Sequence, residues 1–144
     1  MKKILFSILA LTGLAAAAGA QCNGPIQIAS SKTYFLNASY EVQGSRDEQV
    51  IVTITKTNVT IVPNGKQEDA MTGTIKDMQC DWKVPFKEGK TVIKSELVDP
   101  SGDVKDATIT IEGKDGKITL TAEAKERPDQ KLRLEVSKFE QKTN

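Results

Sequence analysis

The sequence predicts an all-β domain, an antiparallel meander of about eight strands that closes into a barrel or a strongly curled sheet. Two observations support this prediction. From residue 49 onward, apolar and polar side chains alternate with a period of two, which is the pattern of strands with one buried face. Short turn sequences separate these runs, and short turns connect only antiparallel neighbours. A long one-faced sheet covers its apolar side most simply by closing into a barrel or folding over on itself.

The alternation predicts strands at residues 49–55, 59–62, 71–75, 78–84, 91–98, 107–112, 118–125 and 131–137. Asn64-Gly65 is a strong turn signal, and Pro85 ends a run because proline cannot donate a hydrogen bond to a sheet. The later turns are predicted at Asp99-Pro100-Ser101-Gly102, Lys114-Asp115-Gly116 and Arg127-Pro128-Asp129. No internal repeat or linker interrupts these runs.

Residues 23–48 are less regular. Ile26 and Ile28 are spaced for a first strand, while residues 31–40 fit either a strand or one helical turn that plugs an end of the barrel. Residues 44–48 are predicted to be a loop.

Residues 1–20 have the features of a secretory signal peptide. Lys2 and Lys3 precede an apolar run that is too short for a membrane span, and Ala18-Gly19-Ala20 provides small residues for cleavage after Ala20. The mature protein is therefore expected to be a single domain, residues 21–144, exported to the periplasm or the exterior of a bacterial cell. A lipoprotein anchored through Cys22 is the alternative, although Gln21 is bulkier than the residue that normally precedes a lipidated cysteine.

The two cysteines, Cys22 and Cys80, are predicted to form a disulfide because an exported chain meets an oxidising environment. Closing so long a loop stabilises the folded chain by about 4 kcal/mol in the chain-entropy account. Two free thiols are the alternative.

Charge and composition exclude several functions. Loss of Lys2 and Lys3 leaves 18 basic against 19 acidic side chains, spread along the chain, so no nucleic-acid partner is predicted. The chain contains no histidine, which excludes serine–histidine and cysteine–histidine catalysis and histidine-ligated metals.

Two sets of oxygen-bearing side chains are candidate sites. Asp99, Ser101, Asp103 and Asp106 share one turn and could suit calcium, but the glycine comes too early for a helix–loop–helix site, so a solvated turn is favoured. The carboxylate pairs Glu123 with Glu126 and Glu112 with Asp115 could support sugar hydrolysis, but the alternation places Glu112 and Glu123 on the solvent face. No metal, cofactor or catalytic residue is predicted.

The aromatic residues suggest a ligand cavity or, alternatively, a filled core. Trp82 lies on the predicted inner face beside Cys80, either at the mouth of a cavity or packed over the disulfide. If a cavity exists, its predicted lining is Val52, Ile54, Trp82, Phe86, Ile93, Leu120 and Leu134.

A single-domain exported meander of about eight strands, over about 49–139, resembles the lipocalin-like (calycin) small barrels of secreted bacterial proteins. The resemblance is architectural, and it implies binding of a small apolar ligand inside the barrel.

Three functions follow from these observations. The first is a binding protein that holds a small apolar ligand or lipid in a cavity of several hundred Å³. The second is an interaction module, inhibitor-like or envelope-associated, with a filled core and an exposed apolar patch near Tyr34, Phe35 and Phe86 that binds a protein partner. The third, an enzyme, is least favoured, since it would need converging carboxylates with strongly shifted pKa values.

Overall fold

A computed structural model describes residues 24–142. The predicted all-β meander is confirmed: eight antiparallel strands form a closed barrel in chain order, and β1 pairs with β8 to close it. The strands are β1 (Ile26–Leu36), β2 (Val42–Ile54), β3 (Asn58–Pro63), β4 (Met71–Val84), β5 (Glu88–Val98), β6 (Val104–Lys114), β7 (Lys117–Ala124) and β8 (Arg127–Gln141). A short 3-10 helix, Gln67–Asp69, precedes β4. The predicted signal peptide, its cleavage site and Cys22 lie outside the described residues.

Across residues 24–142, no helix has both the length and the apolar character needed to cross a membrane.

The irregular N-terminal region contains two long strands, and the predicted loop at 44–48 is wrong because those residues lie within β2. Residues 42–47 are all exposed, so no apolar alternation reveals the strand, whereas pairing with β1 defines it. In β1 a bulge follows Ser30, whose hydroxyl donates to the Lys32 carbonyl oxygen. The bulge shifts the alternation by one residue, because an extra residue reverses the facing of those that follow.

Two other boundaries differ from the sequence prediction. The runs 71–75 and 78–84 form one strand, β4. A bulge between Ile75 and Asp77 turns the side chain of Met78 back toward the inside of the barrel. Residues 127–129 were predicted as a turn, but Arg127 already pairs with Ala124 and opens β8, so the turn is at residues 125–126. The total of eight strands is preserved because β1 adds one strand and the fusion within β4 removes one.

Buried aliphatic side chains from seven strands fill the middle of the barrel, and β4 contributes Trp82. The largest fully buried residues are Ile28, Val52, Ile54, Val59, Ile93, Ile109, Ile111 and Leu120. We name the two ends of the barrel by their strand termini. The mouth is the end where β1, β5 and β7 finish and β2, β4, β6 and β8 begin, and the base is the opposite end.

Trp82 covers the base. It is 3% exposed, and its indole Nε1 donates to Thr91 Oγ1 at 2.7 Å. The ring lies against Gly113, where an added Cβ would come within 2.8 Å of the indole. Phe139 packs beside Trp82 with ring centroids 6.1 Å apart, and Phe86 contacts Phe139 edge-on at 4.8 Å. This aromatic cluster covers the apolar interior at the base.

Candidate functional site

The mouth contains a cavity with a volume of about 590 Å³. This volume lies in the range typical of small-molecule sites, which is about 300–1,000 Å³. Apolar side chains from six strands form its walls: Phe35, Leu36, Met71, Leu97, Ala107, Ala122, Ala124 and Leu132. Residues of this type favour an apolar ligand because burial removes its surface from water.

Small side chains make room for this cavity. Ala107 and Ala124 face each other directly across β6 and β7, and Ala122 faces Ile109 in the next pair. One layer deeper, Ile111 faces Leu120, and both are almost completely buried. The barrel is therefore filled at its centre and open at the mouth, because alanine replaces branched residues near that end.

Charged and amide side chains surround the cavity: Gln43, Asp99, Lys105, Glu123, Arg127, Asp129, Gln130 and Lys131. Three of these are basic and three are acidic. Lys105 pairs with Asp99 at 3.7 Å, and Lys131 pairs with Glu123 at 2.9 Å. Since the positive and negative charges balance, this rim does not select strongly for either sign of ligand charge.

One side of the mouth is held by three residues that we call the latch: Tyr40, Glu123 and Lys131. Tyr40 lies in the turn between β1 and β2, and its hydroxyl donates to Glu123 Oε1 at 2.7 Å. The Lys131 ammonium lies 3.6 Å from the centroid of the Tyr40 ring, and it also donates to the Ala38 carbonyl oxygen at 3.3 Å. The latch thus fastens the β1–β2 turn to β7 and β8. Leu36 and Gln43, on either side of that turn, both line the cavity.

Within the latch, the negative charge of Glu123 and the positive charge of Lys131 stabilise each other. Burial acts to raise the pKa of Glu123, but hydrogen bonds from Tyr40 and Lys131 outweigh it and lower that pKa. The hydrogen bond to Glu123 raises the pKa of Lys131. Both groups are therefore charged at neutral pH, although Lys131 is only 8% exposed.

We expect Glu123→Gln to destabilise the fold by about 1 kcal/mol at pH 7, the order measured for partly exposed ion pairs and hydrogen bonds. Because the pKa of Glu123 is lower in the folded than in the unfolded chain, ionised Glu123 stabilises the fold at pH values above its ordinary pKa of 4.5. This contribution disappears as the pH falls through the folded-state pKa. The unfolding free energies of wild type and variant, measured in urea, should therefore converge as the pH falls through the folded-state pKa of Glu123. Glu112→Gln, which breaks the exposed pair with Lys90 at 3.5 Å, is the control and should change stability less. A Glu123→Gln effect that stays constant as the pH falls through this range would contradict this account.

The seven residues predicted to line a ligand cavity lie elsewhere. Six of them belong to the buried core: Val52, Ile54, Trp82, Ile93, Leu120 and Leu134. The seventh, Phe86, lies at the base. None is among the described residues that line the mouth cavity. The signal that could have located the cavity is the set of inward-facing alanines, because small residues on a core face leave space.

The aromatic residues considered as an exposed patch are dispersed. Tyr34 lies between two cations, Lys32 at 5.7 Å and Arg133 at 5.6 Å from its ring centroid. Phe35 lines the cavity at the mouth, while Phe86 is at the base. The structure therefore places Phe35 and Phe86 at opposite ends of the barrel.

The turn considered for calcium is stabilised by its own hydrogen bonds. Asp99 Oδ1 accepts from the Ser101 hydroxyl and from the backbone N–H groups of Ser101 and Asp103. The Ser101 hydroxyl is the main cause of the lowered pKa of Asp99. Asp106 instead lies 3.8 Å from Lys76. Within residues 24–142, no group of three or more cysteine, aspartate or glutamate side chains is arranged to hold a metal ion.

The carboxylates considered for catalysis have separate partners. Glu123 belongs to the latch, and Glu126 accepts from the Asp106 backbone N–H at 3.2 Å, the main cause of its lowered pKa. Glu112 pairs with Lys90.

Cys80 Sγ accepts a hydrogen bond from the Thr91 hydroxyl at 3.5 Å. Because Cys22 lies outside the described residues, the Cys22–Cys80 disulfide stays a prediction.

Fold and cavity together define a class: a closed, eight-stranded antiparallel barrel consistent with a calycin-like architecture, with an apolar cavity at one end. Comparison of the chain with models of protein families, with curated proteins and with solved structures found no match.

Proposed function

We propose that this protein is an exported binding protein that holds a small apolar ligand in the mouth of its barrel and does not catalyse a reaction. The observation that supports this proposal is the cavity of about 590 Å³ with apolar walls. Export is supported by the signal-like residues 1–20, with Lys2 and Lys3 before an apolar run.

The filled centre of the barrel limits how the ligand binds. Ile109, Ile111 and Leu120 are almost completely buried below the cavity, so the ligand occupies the mouth and does not extend to the base. The rim then meets the end of the ligand that faces solvent. Because the rim charges balance, an uncharged polar group at that end is the best match.

The test is a titration of the purified mature protein with N-phenyl-1-naphthylamine, an uncharged apolar dye whose fluorescence rises when it leaves water. We expect saturable binding with one site per chain, and competition by uncharged apolar molecules of similar size. Native mass spectrometry of protein from its own exported fraction should show the chain without residues 1–20 and with bound mass that is lost on denaturation. Absence of saturable dye binding would overturn the proposal.

A further inference from the structure

The two ends of the barrel carry opposite charge in their turns. Taking each turn with one strand residue on either side, the base segments are 54–58, 84–88 and 114–117, and the mouth segments are 36–42, 63–71, 98–104 and 124–127. The base segments contain four lysines and two acidic residues, whereas the mouth segments contain three basic and six acidic residues. A negatively charged partner is therefore attracted to the base and repelled by the turns of the mouth.

Four lysines at the base form a surface that we call the basic patch: Lys83, Lys87, Lys114 and Lys117. All four are exposed, and none has an ion pair within residues 24–142. The β4–β5 and β6–β7 turns that hold them are packed together, since a Cβ added at Gly113 would lie 2.7 Å from the Lys87 carbonyl oxygen. Lys83 and Lys114 also line one groove. The acidic residues of these two turns and their flanks are Glu88 and Asp115.

Lys114 and Lys117 lie directly opposite each other at the end of the β6–β7 ladder. Like charges in this position destabilise a sheet, because their side chains are close neighbours on one face. Lys90, by contrast, lies opposite Glu112 and pairs with it at 3.5 Å. An anion bound at the basic patch would relieve the repulsion that the fold leaves uncompensated between Lys114 and Lys117.

An apolar tip projects beside the basic patch. Val84 is 42% exposed, which makes it one of the exposed large hydrophobic residues among those described. It opens the Val84-Pro85-Phe86 run, which has Lys83 before it and Lys87 after it. Apolar residues flanked by lysine suit the surface of an anionic membrane, because the apolar groups enter the interface while the ammonium groups meet lipid phosphate. A soluble polyanion would use the lysines but would leave Val84 in water.

We infer that the base of the barrel is a docking surface for an anionic lipid membrane, with the basic patch against the phosphate groups and Val84 at the interface. In this orientation the mouth cavity faces away from the membrane, because it lies at the opposite end of the barrel. The docking surface shares no residue with the lining of that cavity, so the inference does not depend on ligand binding at the mouth.

The test is sedimentation of the mature protein with vesicles made of equal parts phosphatidylglycerol and phosphatidylcholine. We expect saturable binding at low ionic strength that is lost at high ionic strength, because salt screens exposed charges, and no binding to vesicles of phosphatidylcholine alone. Lys114→Glu should weaken binding by roughly tenfold or more, as expected for reversing one charge near an anionic surface. Absence of binding to the anionic vesicles would overturn the inference.

The matched control is Lys66→Glu, in the turn after β3 at the mouth. Lys66 is also exposed and has no ion pair within the described part of the chain, so this variant changes the net charge of the protein by the same amount. Its vesicle binding should equal that of the wild type. Equal weakening in Lys66→Glu and Lys114→Glu would show that net charge alone controls binding, and it would rule out a docking surface at the base.

A second comparison separates a membrane from other polyanions. Val84→Ser should weaken vesicle binding by about threefold, since it removes part of the apolar area that enters the interface. Soluble polyglutamate at the same charge concentration and ionic strength should bind much more weakly than the vesicles. If polyglutamate binds as tightly as the vesicles, or if Val84→Ser leaves vesicle binding unchanged, the surface recognises negative charge and not lipid. Ala122→Leu, in the mouth cavity, should leave vesicle binding intact.

Discussion

Replacing Ala122 with leucine is expected to weaken binding of N-phenyl-1-naphthylamine at least tenfold. Ala122 lines the mouth cavity and faces Ile109 and Leu132 on the neighbouring strands. A leucine side chain at this position would project into the space that we assign to the ligand. Because it fills an existing void, it should change stability by less than about 1.5 kcal/mol. The measurement is the dye titration, with urea unfolding to show that the variant remains folded.

The matched control is Thr121→Leu, at the adjacent residue of β7. Side chains of neighbouring residues in a strand point to opposite faces, so this leucine lies outside the barrel. Dye affinity of Thr121→Leu should equal that of the wild type. If Ala122→Leu binds the dye as well as the wild type does, the ligand site is not the mouth cavity.

Trp82→Ala is expected to produce the largest loss of stability, about 3–5 kcal/mol, as measured for large-to-small replacements in protein cores. The substitution removes the ring that packs on Phe139 and Gly113 at the base. It also removes the indole N–H that donates to Thr91 Oγ1. Urea unfolding followed by circular dichroism measures the loss, since the variant no longer contains tryptophan.

Trp82→Phe separates the two contributions. Phenylalanine keeps an aromatic ring at the base but cannot donate to Thr91, so the expected loss is smaller, about 1–2 kcal/mol. Both variants should retain dye binding at the mouth under conditions where they are folded, because the cavity lies at the other end of the barrel. A loss below about 1 kcal/mol in Trp82→Ala would contradict the packing role of Trp82.

Sequence patterns predicted the strands well where pairing is regular. The predicted runs 91–98 and 107–112 fall within β5 and β6, whose burial alternates without interruption. The same signal identified only parts of β1 and β2: it predicted a first strand at Ile26 and Ile28 and a strand at 49–55, but it left 31–40 open between a strand and a helical turn and wrongly predicted a loop at 44–48. There a bulge after Ser30 shifts the alternation, and residues 42–47 expose every side chain, so only pairing with β1 identifies the strand.

The residues predicted to line a ligand cavity and the cavity at the mouth lie in different parts of the barrel. A cavity of several hundred Å³ was expected if the barrel binds a ligand, and one of about 590 Å³ is present. Its walls were expected to include Val52 and Leu120, which are instead core residues. Large apolar side chains on an inner face indicate burial, but they do not indicate whether neighbouring strands leave space beside them.

The sequence by itself determined the fold class, because alternating side chains and short turns are local properties that permit mainly one arrangement, an antiparallel meander with its apolar face enclosed. The tertiary structure alone decided where that barrel is open. The cavity exists where strand register brings Ala107 beside Ala124. Register and strand overlap depend on contacts between residues far apart in the chain, so no local pattern records them.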